Sequence, residues 1–302
     1  MNALEPVRSV LFVPGNRPDR IDKAVQSQAD AVIIDLEDAV PLKLKDEARE
    51  IAKNKISEHR DKKIIVRVNA LDTEYIMKDI QEIVVQYLSC IMVPKLQRPE
   101  DMHTVDAYLS QSEKIKNIEQ GSIQIIPLIE TALAVQNIYR IAAEPLPNPR
   151  LFTVAFGAAD YTLDLGTEMS YSAEEQLYPR SRIAVACCAA KISPPIDSPF
   201  MLDIQNLEAL EADARRSRQL GYQGKLCIHP KQLDVCNKVF APSEDEILFA
   251  QKVVDAFHEA EEKGHAAIQV DGKFIDPPIV HRAKKTLHLA DNFSQSSKAK
   301  EG

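Results

Sequence analysis

Apolar residues gather in short runs separated by longer amphipathic stretches. The runs are Ser9–Pro14 (SVLFVP), Ala31–Glu37 (AVIIDLE), Lys63–Asn69 (KIIVRVN), Cys90–Lys95 (CIMVPK), Ile123–Glu130 (IQIIPLIE), Leu151–Gly157 (LFTVAFG), Ile192–Asp197 (ISPPID) and Lys225–Pro230 (KLCIHP). Most are apolar throughout and do not alternate, as expected of parallel strands buried on both faces. Between them, Arg20–Ala29, Asp46–Ser57, Thr73–Gln86, Glu100–Leu109, Ala132–Ala143, Glu174–Lys191 and Leu207–Leu220 read as amphipathic or Ala-rich helices, several beginning after an Asp, Ser or Thr cap. Units spaced by roughly 30 residues fill the approximately 250 residues of a closed (β/α)8 TIM barrel, an α/β fold. The barrel is expected over residues 1–240. Its weakest strand is Ile192–Asp197, where Pro194 and Pro195 remove two ladder donors.

Residues 241–302 read as a C-terminal helical appendage or lid. Ser243 and Glu246 form a capping-box pattern, Ile247, Ala250, Val254 and Phe257 continue at helical spacing, and Gly264 is the expected stop. A strand-like AAIQVDGKF, an IDPP turn and a helix over Ile279–Ala290 follow. The polar DNFSQSSKAKEG tail is expected to be disordered.

Composition narrows the class. The 302 residues are 45% hydrophobic and 27% charged, with a formal net charge of -8, which argues against nucleic acid or an anionic membrane as a partner. No run of about 18 apolar residues occurs, and the opening MNALEPVRSVLFVPGN lacks a secretory pattern, so a cytoplasmic location is expected. The five cysteines show no CxxC pair or metal-ligand spacing, and adjacent Cys187 and Cys188 read as small core residues.

In such a barrel, catalytic groups come from the C-terminal ends of strands. Polar residues collect there: Asp35, Glu37 and Asp38 after the second strand, Arg67 and Asn69 on the third, Lys95 on the fourth, Glu130 on the fifth and Asp160 after the sixth. Glu130 and Asp160 are suited to a hard divalent cation such as Mg2+. Arg67 is suited to a carboxylate or a developing enolate. An ion-pair ring of the same residues is the competing explanation. His229 reads as a fastener of the last strand exit, while Gly15, Arg17, Arg20 and Lys23 in PGNRPDRIDK offer cations and backbone N–H groups to phosphates.

Taken together, RSVLFVPGNRPDR, DLEDAV, RVN, VPK, LIET, FGAADYTLDLG, RSRI, GKLCIHPKQ and DGKFIDPP resemble, in order, the citrate lyase beta subunit-like branch of the HpcH/HpaI aldolase superfamily over residues 8 to about 288. The resemblance implies a lyase that cleaves a 3-hydroxyacyl thioester into acetyl thioester and a 2-oxo acid. It implies Mg2+ on Glu130 and Asp160, carbonyl and carboxylate contacts from Arg67, and coenzyme A contacts from Arg17 and Lys23; Glu37 and Asp38, which the residue pattern also offers as a helix cap or solvated loop, are read as supporting residues. Asp276 of the IDPP turn becomes a general acid/base delivered to a neighbouring subunit, although its residue pattern alone reads as a turn or helix cap. The expected assembly is therefore a homo-oligomer, with a trimer favoured.

Citramalyl-CoA and malyl-CoA are the favoured substrates. A citryl thioester on a carrier protein, hydrolysis of malyl-CoA and non-catalytic binding of coenzyme A are the alternatives. Ala134, Pro179 and Lys191 depart from residues common in the family and bear on substrate shape more than on reaction type.

Overall fold

The structure, a computed structural model, describes residues 6–262 and 267–301, so Gly264 lies outside the described residues. Strands β1 Ser9–Pro14, β2 Ala31–Asp35, β3 Ile64–Arg67, β4 Cys90–Val93, β5 Gln124–Ile129, β6 Ala155–Phe156, β7 Ile196–Asp197 and β8 Gly224–Cys227 close a barrel in sequence order, and each neighbouring pair is parallel. The helices are α1 Pro18–Val25, α2 Lys45–Glu58, α3 Ile76–Ile83, α4 Pro99–Ile115, α5 Ala132–Ala142, α6 Ala158–Leu165, α7 Leu177–Ala190, α8 Leu207–Gln219, α9 Leu233–Phe240, α10 Glu244–Glu262 and α11 Pro277–Glu301. The fold is the α/β TIM barrel that the alternating pattern implies.

The two-residue period of a strand sorts the barrel's side chains. One face of every strand supplies the interior cluster, including Val10, Ala31, Ile33, Ile65, Cys90, Met92, Ile126, Leu128, Ala155, Ile196 and Leu226. One period further, at the ends of β2 and β3 and just past the end of β5, stand Asp35, Arg67 and Glu130. The apolar plug thus ends in charge at the C-terminal mouth.

Side chains on the outward face meet helices, and β7 and β8 bury charge there. Arg180 of α7 grips Asp197 through Nε and Nη2 at 2.9 and 3.0 Å, and Asp213 of α8 through Nη1 and Nη2 at 2.9 and 3.1 Å. Lys225 donates to Asp213 at 2.6 Å and also to Asp197. Two cations and two anions cancel inside the wall. Burial opposes ionisation of Asp213, but Lys225 and Arg180 hold its carboxyl well below the usual range.

β6 and β7 are shorter than the hydrophobic runs imply. Pro194 and Pro195 lack N–H donors, so pairing narrows to Ala155↔Ile196. Side chains replace the missing ladder: Thr153 Oγ1 donates to the carbonyls of Pro194 and Ser193 at 2.7 and 3.2 Å, and Gln223 Nε2 also donates to Pro194. Lys191, the departure from glycine, ends α7 in the left-handed conformation at φ 59°. Helix α6 follows β6 so closely that the residue pattern does not separate the two; Gly166, at φ 69°, closes it. Cys188 is exposed, unlike buried Cys187, so only one of that pair packs in the core.

The chain divides into two compact units between Asn237 and Lys238. In the second unit, Ser243 and Glu246 make the reciprocal capping bonds, at 3.2 and 2.7 Å, that open α10. Strands β9 Ile268–Val270 and β10 Lys273–Ile275 form a hairpin through Asp271 and Gly272, both at positive φ, as an Asp-Gly turn of this type demands. Ala250, Val253, Val270, Ile275, Val280 and Ala283 form its core. The tail expected to be disordered continues α11 to Glu301, its Ala- and Lys-containing stretch being free of Gly and Pro.

The caged charges of the barrel wall are the fold's most sensitive point. Lys225→Met leaves Asp197 and Asp213 sharing one cation, and urea unfolding is expected to record a loss of about 3–5 kcal/mol. A loss below about 1 kcal/mol would show that the cage is dispensable.

Candidate active site

The mouth is organised around the end of β2. Asp35 and Arg67 are register partners, and the guanidinium grips the carboxylate through Nε and Nη2 at 2.7 and 2.6 Å. The same carboxylate accepts from the backbone N–H groups of Glu37 and Ala39 at 2.9 and 3.1 Å, which winds the DLEDAV segment into a tight turn. That turn presents Glu37 to Arg67 Nη1 at 3.0 Å, with Asp38 further away at 3.9 Å. The guanidinium also lies 5.0 Å from the centroid of Phe12. Burial opposes the Arg67 cation, yet Asp35 and Glu37 hold its ionisation above the ordinary value.

Buried polar groups fix this turn from below. Lys45 Nζ donates to the carbonyls of Leu36 and Glu37 and to Asn69 Oδ1, at 2.6, 2.7 and 2.8 Å, using all three of its donors. Asn69 is held in turn by Asp79, whose Oδ2 accepts its N–H at 2.8 Å and its Nδ2 at 2.6 Å. Arg49 closes the chain with a 2.6 Å bond to Asp79.

Glu130 is 2% exposed, and its Oε1 accepts the backbone N–H of Lys95 at 2.8 Å. Its other oxygen lies against Gly157, where a Cβ would come within 2.7 Å of both Glu130 Cβ and Oε2. Gly157 precedes α6, whose first turn carries Asp160. Burial, then the neighbouring Asp160 and Glu37 carboxylates, push the Glu130 carboxyl well above the ordinary range. Burial also raises Glu37, even though Lys95 Nζ donates to its Oε1 at 3.1 Å. Asp160 has no side-chain hydrogen bond or ion pair among the described residues. A desolvated carboxylate beside another that lacks a protein cation is an arrangement that a divalent ion would relieve.

Two hollows meet at Glu130 and Asp160. One, of about 500 Å³, is lined on its polar side by Arg20, Asp35, Asp38 and Arg67, and on its apolar side by Phe12, Met201, Leu226 and Ile228. The other, of about 430 Å³, is bordered by Lys95, Arg98, Asp101 and Asp164. The mouth therefore brings Glu37, Asp38, Arg67, Glu130 and Asp160 together.

Other residues singled out in the sequence lie elsewhere. Arg17 pairs with Asp19 at 3.2 Å, and neither Arg17 nor Lys23 lines either hollow, whereas Arg20 of the same loop does. His229 accepts the Lys231 N–H at 3.2 Å and caps a short 3₁₀ turn. Asp276 belongs to the second unit, where its Oδ1 accepts the Ile279 N–H at 3.2 Å at the start of α11. Among the described residues, the grouped potential ligands Asp22, Glu58 and His59 lie away from the mouth, and Lys55 already bridges the two acids at 2.9 and 2.6 Å.

Sequence reasoning passes over Lys45, Asp79 and Gly157. Lys45 and Asp79 sit on ordinary helical positions with no local signal. Gly157 is visible within FGAAD, but only the fold brings Glu130 against it.

Comparison with known proteins identifies the family. The chain is 35% identical to a citrate lyase subunit beta of Leuconostoc mesenteroides subsp. cremoris over 286 residues, covering 94% of this chain and 93% of that one. It is 31% identical to a (3S)-malyl-CoA thioesterase of Cereibacter sphaeroides over 290 residues, 95% of each. Among solved structures, the CitE protein of Mycobacterium tuberculosis in complex with magnesium, acetoacetate and coenzyme A superposes with a TM-score of 0.73 at 26% identity, covering 95% of this chain and 99% of that one. The HpcH/HpaI aldolase/citrate lyase family profile matches residues 8–230, nearly the whole barrel, and the chain is an enzyme of that lyase family.

Proposed function

We propose that this enzyme is a magnesium-dependent carbon–carbon lyase that cleaves a short 3-hydroxyacyl-CoA, citramalyl-CoA or malyl-CoA, into acetyl-CoA and a 2-oxo acid. The observation that carries the reading is the buried Glu130 beside Asp160, opposite an Arg67 that Asp35 holds rigidly. Glu130 and Asp160 would hold the cation, which supplies Lewis-acid polarisation of substrate oxygens. The magnesium and coenzyme A held by the Mycobacterium protein support that choice.

The protein's own groups account for the proton and charge traffic. Glu37 accepts the proton of the 3-hydroxyl, and burial makes its carboxylate a stronger base than an exposed one. The bond between C2 and C3 breaks as C3 becomes the 2-oxo acid carbonyl, and its electron pair passes into the thioester enolate. Arg67 stabilises the anionic charge with a fork that is already oriented, and Asp38 adjusts that cation from 3.9 Å. Asp276 returns a proton to C2, delivered from the second unit of a neighbouring subunit in a homo-oligomer, with a trimer favoured. Arg20, which lines the larger hollow, would meet the coenzyme's phosphates, with Arg17 and Lys23 of the same segment contributing from outside that hollow.

A second reading, hydrolysis of a malyl thioester, has the Cereibacter relatives in its favour. A citryl thioester as substrate has the citrate lyase beta relatives in its favour. The 2-oxo acid product separates cleavage from hydrolysis.

Glu130→Gln and Asp160→Asn are expected to abolish magnesium-dependent release of the 2-oxo acid with melting temperatures little changed. Turnover that persists in EDTA would remove the metal from the reaction. Arg67→Lys keeps the charge but loses the fork, so kcat/KM should fall about 100-fold or more; a rate equal to wild type would exclude Arg67 from charge stabilisation. Asp276→Asn retains a good helix cap, so stability should change by no more than a few tenths of a kcal/mol while turnover is lost. Unchanged turnover would leave Asp276 only its capping role.

A further inference from the structure

Lys95 is one of five non-glycine residues at positive φ among the described residues, at 53°. A left-handed backbone is unfavourable for a residue with a Cβ, and it persists where the surroundings over-determine it. The turn after β4 is such a place. Pro94 precedes Lys95, Leu96 is fully buried, and Asp101 Oδ2 accepts the N–H groups of Gln97 and Arg98 at 2.9 and 2.8 Å. Asn137 of α5 anchors the turn again through the Gln97 carbonyl at 3.0 Å.

The conformation has a definite outcome. It points the Lys95 N–H at Glu130 Oε1, 2.8 Å away, while the ammonium reaches Glu37 Oε1 at 3.1 Å. Glu37 is thereby held between two cations, with Arg67 at 3.0 Å on its other oxygen. One residue thus braces two acids carried by different strands. The Lys95 side chain is 40% exposed, so burial in a core does not account for its placement.

We infer that Lys95 is a positioning residue with two separable roles: its strained backbone N–H orients Glu130 for a divalent cation, and its ammonium sets Glu37 against Arg67. The inference rests on the lyase reading above, and cation affinity, which needs no substrate, tests part of it independently. Lys95→Gly keeps the left-handed turn and its N–H but removes the ammonium. Lys95→Val also disfavours the turn, because a β-branched side chain resists positive φ.

Calorimetric titration with Mg2+ should give Lys95→Gly an affinity within about threefold of wild type and Lys95→Val at least tenfold weaker binding, a tenfold loss being one decade in Kd. On citramalyl-CoA and malyl-CoA, Lys95→Gly should lose at least tenfold in kcat with KM little changed, and added ethylammonium should restore part of the rate. Equal Mg2+ affinity in all three proteins overturns the backbone role. Wild-type kcat in Lys95→Gly, or a loss that ethylammonium and Lys95→Arg both fail to restore, overturns the ammonium role. A wild type that binds no divalent cation overturns the metal reading itself, and the backbone role with it. If Lys95→Val does not fold, Lys95→Thr carries the same test of the backbone.

Discussion

The Asp35–Arg67 pair is the interaction on which the mouth of the barrel depends. Each partner closes the inward-facing column of its strand, so neither can leave without exposing charge to the apolar plug below. The carboxylate has four acceptor sites, and it uses them on the guanidinium and on the N–H groups of Glu37 and Ala39. One bidentate contact thereby fixes an arginine, shapes the loop after β2 and places Glu37. Its geometry rests on further buried charge, since Lys45, Asn69, Asp79 and Arg49 link the same loop to α2 and α3.

The molecule treats buried charge in two ways. In the outer wall, Arg180, Lys225, Asp197 and Asp213 neutralise one another, and Arg150 pairs with both Asp106 and Glu113. At the mouth the balance is left incomplete: Glu130 is buried beside Asp160 and Glu37, and one backbone N–H is its hydrogen-bond partner. Electrostatic cost concentrated in an open cavity is a functional signature, because a structural ion-pair network would have cancelled it. Gly157 permits the close approach, since any larger residue would collide with Glu130.

Much of this is legible from residue patterns. The apolar runs mark all eight barrel strands, and the polar residues at their ends mark Glu37, Arg67, Glu130 and Asp160 as neighbours, because barrel geometry converts strand ends into a single face. What pattern does not supply depends on tertiary contact. The prolines of ISPPID shorten β7, but their replacement by side-chain bonds from Thr153 and Gln223 has no local signature. The basic opening loop looks equivalent along its length, yet helix geometry turns Arg20 to the mouth while Arg17 is engaged by Asp19. Polarity makes the last residues read as disordered, whereas a stretch without Gly or Pro sustains helix α11. Lys95 is visible at the end of VPK, but its positive φ, and hence its double attachment, is not.

If an incompletely neutralised carboxylate pair facing a fixed arginine makes this barrel a cation-dependent lyase, its products must depend on the ion. The most direct measurement incubates the purified protein with citramalyl-CoA, malyl-CoA and citryl-CoA separately, with Mg2+ or with EDTA, and identifies the products by mass spectrometry. Acetyl-CoA together with pyruvate, glyoxylate or oxaloacetate is expected, formed only when Mg2+ is present. Free coenzyme A with an intact hydroxy acid, or acetyl-CoA formed equally well in EDTA, would contradict it.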